Sequence, residues 1–169
     1  MNEIILDEVD LRLLGLLQSD ASLSNQDLAQ RAHVSAPTAL RRIKRLRELG
    51  LIERQVALLH PDKMAEVMGH GLTALVEITL ERQGAEYLDA FEQRAVAEAA
   101  VQQCYRVSPG PDFVLVVHTR DMPSHLALTQ RLFTSDANVR NVKAFFSVKR
   151  AKFRPQIALD TAQHTKSPA

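Results

Sequence analysis

The sequence predicts an α+β chain: an N-terminal (winged) helix-turn-helix joined to a βαββαβ ferredoxin-like sandwich. Two serine-capped helical stretches follow one another with only His33 and Val34 between them, and the second is rich in arginine and lysine. From Leu72 onward the hydrophobic period alternates between two and 3.6 residues in the order strand, helix, strand, strand, helix, strand. Between the two regions, LIERQVALLH carries a period-two pattern that reads as a connecting strand or a short wing of two strands.

The first helix is expected over Leu6–Gln18. Asp7 can cap it, and Leu6, Val9, Leu13, Leu16 and Leu17 form its apolar stripe. The polar run DASLSN is a turn. A second helix spans Ser24–Ala32, with Leu28, Ala29 and Ala32 on its inner side. The third runs from Ser35 to Leu49. Ser35 supplies a capping oxygen, and Pro37 sits in the first turn, where its missing N–H costs nothing. At ~100° per residue, Ala39, Ile43, Leu46 and Gly50 share one arc, while Pro37, Thr38, Arg41, Lys44, Arg45 and Glu48 lie opposite. Gly50 suits the left-handed residue that ends a helix.

Net charge is only +1, but it is unevenly placed. Residues 1–30 hold six acidic side chains and one basic, whereas Ser35–Arg54 holds six basic and two acidic. Local field governs docking on a polyanion, so the third helix suits the major groove of double-stranded DNA. A charged face is more often simply solvated. The tight pairing with a preceding capped helix is what favours DNA, provided the cations project outward.

His60-Pro61-Asp62 interrupts the period-two stretch, and KMAEVMGHG forms a short helical linker ending in glycines, so that a second unit starts near His70. Strands are expected at Leu72–Leu80, Val101–Val107, Phe113–Thr119 and Val139–Lys152, with helices at Gly84–Ala97 and Met122–Phe133. This order gives an antiparallel sheet with both helices on one face. The other face, with Val114, Val116 and Phe145 or Phe146, would be an oversized apolar patch, and a second copy of the chain is its simplest cover. The basic run Arg140, Lys143, Lys149, Arg150, Lys152 and Arg154 either touches DNA or protects an edge strand; the edge reading is favoured.

Composition excludes several classes. The apolar fraction of 46% supports a core, no apolar run is long enough to span a membrane, and no signal peptide is evident, which points to the cytoplasm. The single cysteine, Cys104, is read as a small core residue of a strand rather than a redox sensor. Six scattered histidines make no metal pair, and neither a glycine-rich phosphate loop nor a nucleophile elbow is present, so no cofactor, metal or catalytic residue is expected. His118 is expected to be a core or interface histidine.

The run VSAPTALRRIKRLRELGLIERQVALLHPDKM, followed by the βαββαβ unit, resembles the leucine-responsive regulatory protein/AsnC (Lrp/AsnC) family of transcription regulators across residues 6–154. The resemblance implies a helix-turn-helix domain with linker strand (residues 1–60), a small-molecule-sensing RAM domain (61–155) and a flexible tail (156–169). It also implies homodimers able to stack into octamers, with an amino acid bound between them. On this analogy Ser35, Pro37, Thr38, Arg41, Arg42, Lys44 and Arg45 face DNA, although Arg42 flanks the buried stripe, where an acidic neighbour could claim it instead.

The effector loop departs from the family pattern, Thr/Ser-Gly-x-x-Asp-Tyr. Here it reads Ser108-Pro109-Gly110-Pro111-Asp112-Phe113, with proline in the place of the first glycine. Proline fixes φ and removes an N–H that could bind a carboxylate. In the last strand, Val142 and Ala144 stand where the family tends to place Thr or Ser. A drier pocket is implied, suited to an apolar or branched amino acid, or to no effector. Asp112 is either a turn residue bonding its own backbone, the favoured reading, or the acceptor of a ligand amino group.

Siroheme decarboxylases share this two-part architecture and supply an enzymatic alternative. They need no cationic recognition helix, so Arg41, Arg42, Lys44 and Arg45 argue against one. A weaker third reading is an effector-binding module whose helix-turn-helix no longer binds DNA.

Overall fold

The computed structural model describes residues 4–69 and 71–159. The chain divides into two compact units, one comprising the residues up to Leu58 together with those from Phe153 on, the other Leu59–Lys152.

The first unit is a three-helix arrangement: α1 (Glu8–Ser19), α2 (Asn25–Ala32) and α3 (Ala36–Glu48). Side-chain caps start all three. Asp7 and Asp10 form a reciprocal capping box on α1, Ser24 and Asp27 form another on α2, and the Ser35 hydroxyl accepts from the Thr38 N–H. His33 ends α2 in the left-handed region at φ 57°, and Gly50 follows α3 at φ 72°, as a helix-ending glycine should. Leu13, Leu28, Ala29, Ala32, Ala39 and Ile43 form the core, with Val9, Leu16, Leu17 and Ile52 packed against it. Two bonds brace the helices: Arg12 Nη1 donates to the Ala32 carbonyl, and Asn25 Nδ2 to the Ala36 carbonyl, each at 2.9 Å.

The stretch expected to form a strand or wing, Leu51–His60, forms no β-ladder among the described residues. Its alternation is real, but a strand needs a partner for its backbone groups, and none is found there among the described residues. Helix α4 (Pro61–Met68) follows. The expected start of the second unit at His70 lies outside the described residues. Of the expected tail, residues 160–169 also lie outside them, whereas Ile157 exchanges two backbone hydrogen bonds with the Gln18 side-chain amide, at 2.8 and 2.9 Å.

The second unit contains β1 (Leu72–Leu80), α5 (Ala85–Ala97), β2 (Val101–Arg106), β3 (Phe113–Thr119), α6 (Met122–Thr129) with a π-helical turn (Gln130–Thr134), and β4 (Val139–Phe146). The antiparallel sheet has the order β2-β3-β1-β4. Alternate residues Ala74, Val76, Ile78 and Leu80 of β1 and Phe113, Leu115 and Val117 of β3 are buried beneath Phe91 and Ala95 of α5 and Leu128, Leu132 and Phe133 from the second helical segment. Both helices therefore cover one face. β4 stops at Phe146 rather than Lys152, because its partner β1 begins at Leu72 and offers nothing to pair with beyond Ser147.

Candidate nucleic-acid interface and effector loop

Helix α3 buries Ala39, Ile43 and Leu46, leaves Ala36, Thr38 and Arg42 half-buried and exposes its other residues, so the apolar stripe read from the sequence sets its rotation. Ser35 and Thr38 are joined hydroxyl to hydroxyl at 2.8 Å in the first turn. Pro37, Arg41 and Lys44 are exposed, and the Lys44 ammonium is 3.8 Å from Glu48 on its own helix, a weak surface pair. Leu40, not singled out by the sequence, is also exposed on this surface.

Arg42 and Arg45 are placed differently from Arg41 and Lys44. Arg42 Nη1 donates to Asp7 Oδ2 at 2.6 Å and to Asp10 Oδ1 at 2.9 Å, while its Nε is buried without a hydrogen-bond partner. Arg45 Nη1 donates to Asp10 Oδ2 at 3.1 Å, and its Nη2 to the Ile5 carbonyl at 3.1 Å. The acidic neighbour considered for Arg42 is thus present, and it is double. Arg42 keeps a quarter of its side chain exposed and Arg45 nearly half, whereas Asp10 is enclosed. Burial pushes the Asp7 carboxyl up, but the Asp10 N–H and the Arg42 guanidinium outweigh it and hold the group below its usual range. Among site residues the sequence missed, Asp10 stands first. Its acidic place in the first turn of α1 signalled a cap; nothing local signalled its second task.

The loop between β2 and β3 is closed by the Val107 N–H donating to the Asp112 carbonyl at 3.0 Å. The Ser108–Pro109 peptide is cis, and Gly110 takes φ 127°, so the glycine freedom absent at position 109 is used one residue later. Asp112 is anchored on β1. Its N–H donates to the Ile78 carbonyl at 2.8 Å, and its Oδ2 accepts from the Leu80 N–H at 2.6 Å and from Gln83 Nε2 at 3.3 Å. The carboxylate bonds a neighbouring strand rather than its own turn.

Val142 pairs with Ile78 and packs against the buried core; Ala144 pairs with Val76 and is exposed. The loop borders β1 at Ile78 and Leu80 on one side and Val142 borders it at Ile78 on the other, whereas Ala144 lies farther along the strand, opposite Val76. His118, expected in core or interface, is exposed on central strand β3 and hydrogen-bonded to the Thr73 hydroxyl at 3.0 Å. Cys104 is partly buried beside the core, and burial pushes its thiol pKa up, as suits a packing residue.

The uncovered face of the sheet carries Leu75 and Phe145 side by side, 44% and 53% exposed, next to Val116, with Tyr105 and Val114 in the adjoining row. Phe146 turns the other way and stacks edge-on against His125. Strand β4 is an outer strand and carries Arg140 and Lys143 of the basic run, whereas Lys149, Arg150, Lys152 and Arg154 follow its end and lie on no strand. No group of three or more His, Cys, Asp or Glu able to hold a metal occurs among the described residues, and no helix there is long and apolar enough to cross a membrane.

Comparison with known proteins places these features. Residues 6–53 match the model of a winged helix-turn-helix DNA-binding domain, and residues 73–157 that of the Lrp/AsnC ligand binding domain. The chain is 32% identical to the Bkd operon transcriptional regulator of Pseudomonas aeruginosa, over 88% of this chain and 95% of that protein. It is 30% identical to the leucine-responsive regulatory protein of Rhizobium meliloti, over 91% and 96%. A crystal structure of an AsnC family transcriptional regulator from Agrobacterium tumefaciens superposes with a TM-score of 0.82 at 29% identity, covering 93% of this chain and 99% of that one. These relatives carry the names of regulators, not of enzymes.

Proposed function

The chain belongs to the Lrp/AsnC family of transcriptional regulators, and from that premise we propose that it reads DNA with the outer surface of α3 under the control of a bound amino acid. It is a transcriptional regulator with a DNA-binding helix-turn-helix and a ligand-binding domain, not an enzyme. The observation that carries the finer reading is the division of α3: Ala39, Ile43 and Leu46 face inward, while Ser35, Pro37, Thr38, Arg41 and Lys44 line the surface that a major groove would meet. Arg45, half exposed, extends that surface, and Arg42 stands behind it, bound to acids. Residues 1–60 form the DNA-binding domain in this proposal and 61–155 the sensing domain. The protein acts in the cytoplasm, where its DNA lies.

Two copies meet, in this proposal, through the open sheet face around Leu75 and Phe145, with further stacking to an octamer available. A twofold assembly requires a near-palindromic site with half-sites about one helical turn, or a multiple of it, apart. The effector is an apolar or branched amino acid, held between copies near Ser108–Asp112, Val142 and Ala144. The apolar Val142 and Ala144 and the proline at 109 support that choice, and one relative is named for its response to leucine. Asp112 is already bonded to Leu80 and Gln83, so its part in ligand binding is limited to the lone pairs left over.

Protection mapping of the chain on the DNA upstream of its own and neighbouring genes, with and without amino acids, tests the function. A protected palindromic site whose pattern shifts with one apolar amino acid is expected. Calorimetric titration with the amino acids, on the parent and on Asp112→Ala, tests the pocket; absence of heat with every amino acid overturns the effector reading.

A further inference from the structure

Asp10 is 1% exposed, and both its carboxylate oxygens are engaged by α3. Oδ1 accepts from Arg42 at 2.9 Å and Oδ2 from Arg45 at 3.1 Å. Asp7 adds a second acceptor for the same Arg42 nitrogen, and the capping box locks Asp7 and Asp10 to each other. A carboxylate stripped of its partners in such a place is strongly disfavoured, so neither arginine can leave without the other holding the site. Arg41 and Lys44, on the same helix, have no acid across the helix pair among the contacts described. Of the five cations of α3, Arg42 and Arg45 are thereby held by acids of α1, whereas Arg41, Lys44 and Arg47 are not.

We propose that Asp10, from helix α1, is a specificity-determining positioning residue for DNA recognition: it withholds Arg42 from phosphates and fixes the direction in which Arg45 is offered to the duplex. The proposal rests on the reading that α3 docks on DNA. Affinity for arbitrary sequence grows with the number of cations able to reach phosphates, whereas discrimination depends on side chains held in one direction. A buried anion behind the recognition helix lowers the first and secures the second. Charge-assisted bonds to Asp10 hold Arg45 by Nη1, and the Ile5 carbonyl holds its Nη2, which leaves the remaining N–H donors of a planar group with a set orientation.

The test uses the full chain and two duplexes of equal length, one recovered from a random pool by selection on the parent protein and one scrambled, with binding read by fluorescence anisotropy across a salt series. Asp10→Asn keeps the side chain's shape and removes the charge. In this variant the scrambled duplex should bind more tightly, with a salt slope steeper by about 0.9 for each arginine that reaches a phosphate. The ratio of selected to scrambled affinity should fall by about fivefold or more, the lower end of what one misplaced base-reading arginine costs. A folded Asp10→Asn with the parent's slope and ratio overturns the proposal, since a merely structural aspartate would change melting and nothing else. Where Asp10→Asn melts too low to assay, Asp7→Asn decides. Asparagine caps a helix as well as aspartate does, so α1 keeps its start while Arg42 loses one acid. Slope and ratio should move the same way by a smaller amount, and no movement again overturns the proposal. A parent that selects no sequence, or whose binding is untouched by Arg41→Ala, sinks the docking reading itself, an outcome separate from a parent that discriminates beside variants that discriminate equally.

Discussion

The Oδ2 atom of Asp112 lies 2.6 Å from the backbone nitrogen of Leu80, so the residue that ends the β2–β3 loop is pinned to the last residue of β1. Leu80 is 1% exposed, and its N–H takes the Asp112 carboxylate as acceptor. Asp112→Ala should therefore cost about 1–3 kcal/mol of stability, the penalty for an orphaned buried donor. Asp112→Asn, which keeps an acceptor, should cost less. Urea unfolding checks this through a lower midpoint at an unchanged slope. An Asp112→Ala variant as stable as the parent would show that the bond contributes nothing.

That bond also marks a boundary of what the sequence discloses. Ser24, Ser35 and Asp7 could be read as caps because a cap acts on N–H groups two or three residues away, and each starts the helix assigned to it. The inward residues of α3 and the alternation of β1 and β3 were legible for a similar reason: burial repeats with the period of the element. The destinations of Asp112 and Asp10 were not, since Leu80 and Arg42 are 32 residues away in either case and no periodicity reports a partner at that distance. Residues 51–60 failed in the opposite sense. Their alternation is local, yet a ladder is a property of two strands, and no described residue pairs with them.

Arg41 is an exposed cation on the outer side of α3 and forms no salt bridge among the described residues. If it reaches a base edge, Arg41→Ala should weaken binding to the selected duplex by about 1–3 kcal/mol and relax preference at one base pair. Lys44→Ala, removing an exposed ammonium beside Glu48, should instead weaken all duplexes alike and flatten the salt slope by about one. Anisotropy titrations at several salt concentrations separate the two outcomes. Equal behaviour of both variants and the parent would place the groove-facing surface elsewhere.

Leu75 lies between Val116 and Phe145 on the open face of the sheet. In a dimer formed through that face its side chain is removed from water, and a carboxylate there would be buried without a partner. Leu75→Glu should convert the protein to monomers at micromolar concentration while leaving the helix-covered face intact, because Ala74 and Val76 point the other way. Sedimentation equilibrium reads the mass, and the melting curve reports on the fold. DNA affinity should fall with the mass, since the two reading helices are no longer linked. A variant that stays dimeric would move the interface off this face.

His125 in α6 is 4% exposed; its Nδ1 has no hydrogen-bond partner, and its ring meets Phe146 edge-on at 5.0 Å. Burial holds its pKa below the ordinary imidazole value. The sign follows from comparing the two states: the unfolded chain takes up a proton as pH falls through about 6.5, whereas the folded chain resists it. The stabilisation from a neutral His125 is thus complete above that value. It is lost as pH falls toward the depressed folded value, at no more than about 1.4 kcal/mol per pH unit for one proton. Asp7 acts in a separate window, because its depressed carboxyl pKa withdraws stability only under more acid conditions. Urea unfolding at intervals from pH 8 to pH 5 should show the parent weakening below neutrality. His125→Leu, with nothing to protonate, should weaken less steeply over the same interval, even if its stability at pH 8 is lower. Parallel curves for the two proteins would mean that the buried imidazole is not the group responsible.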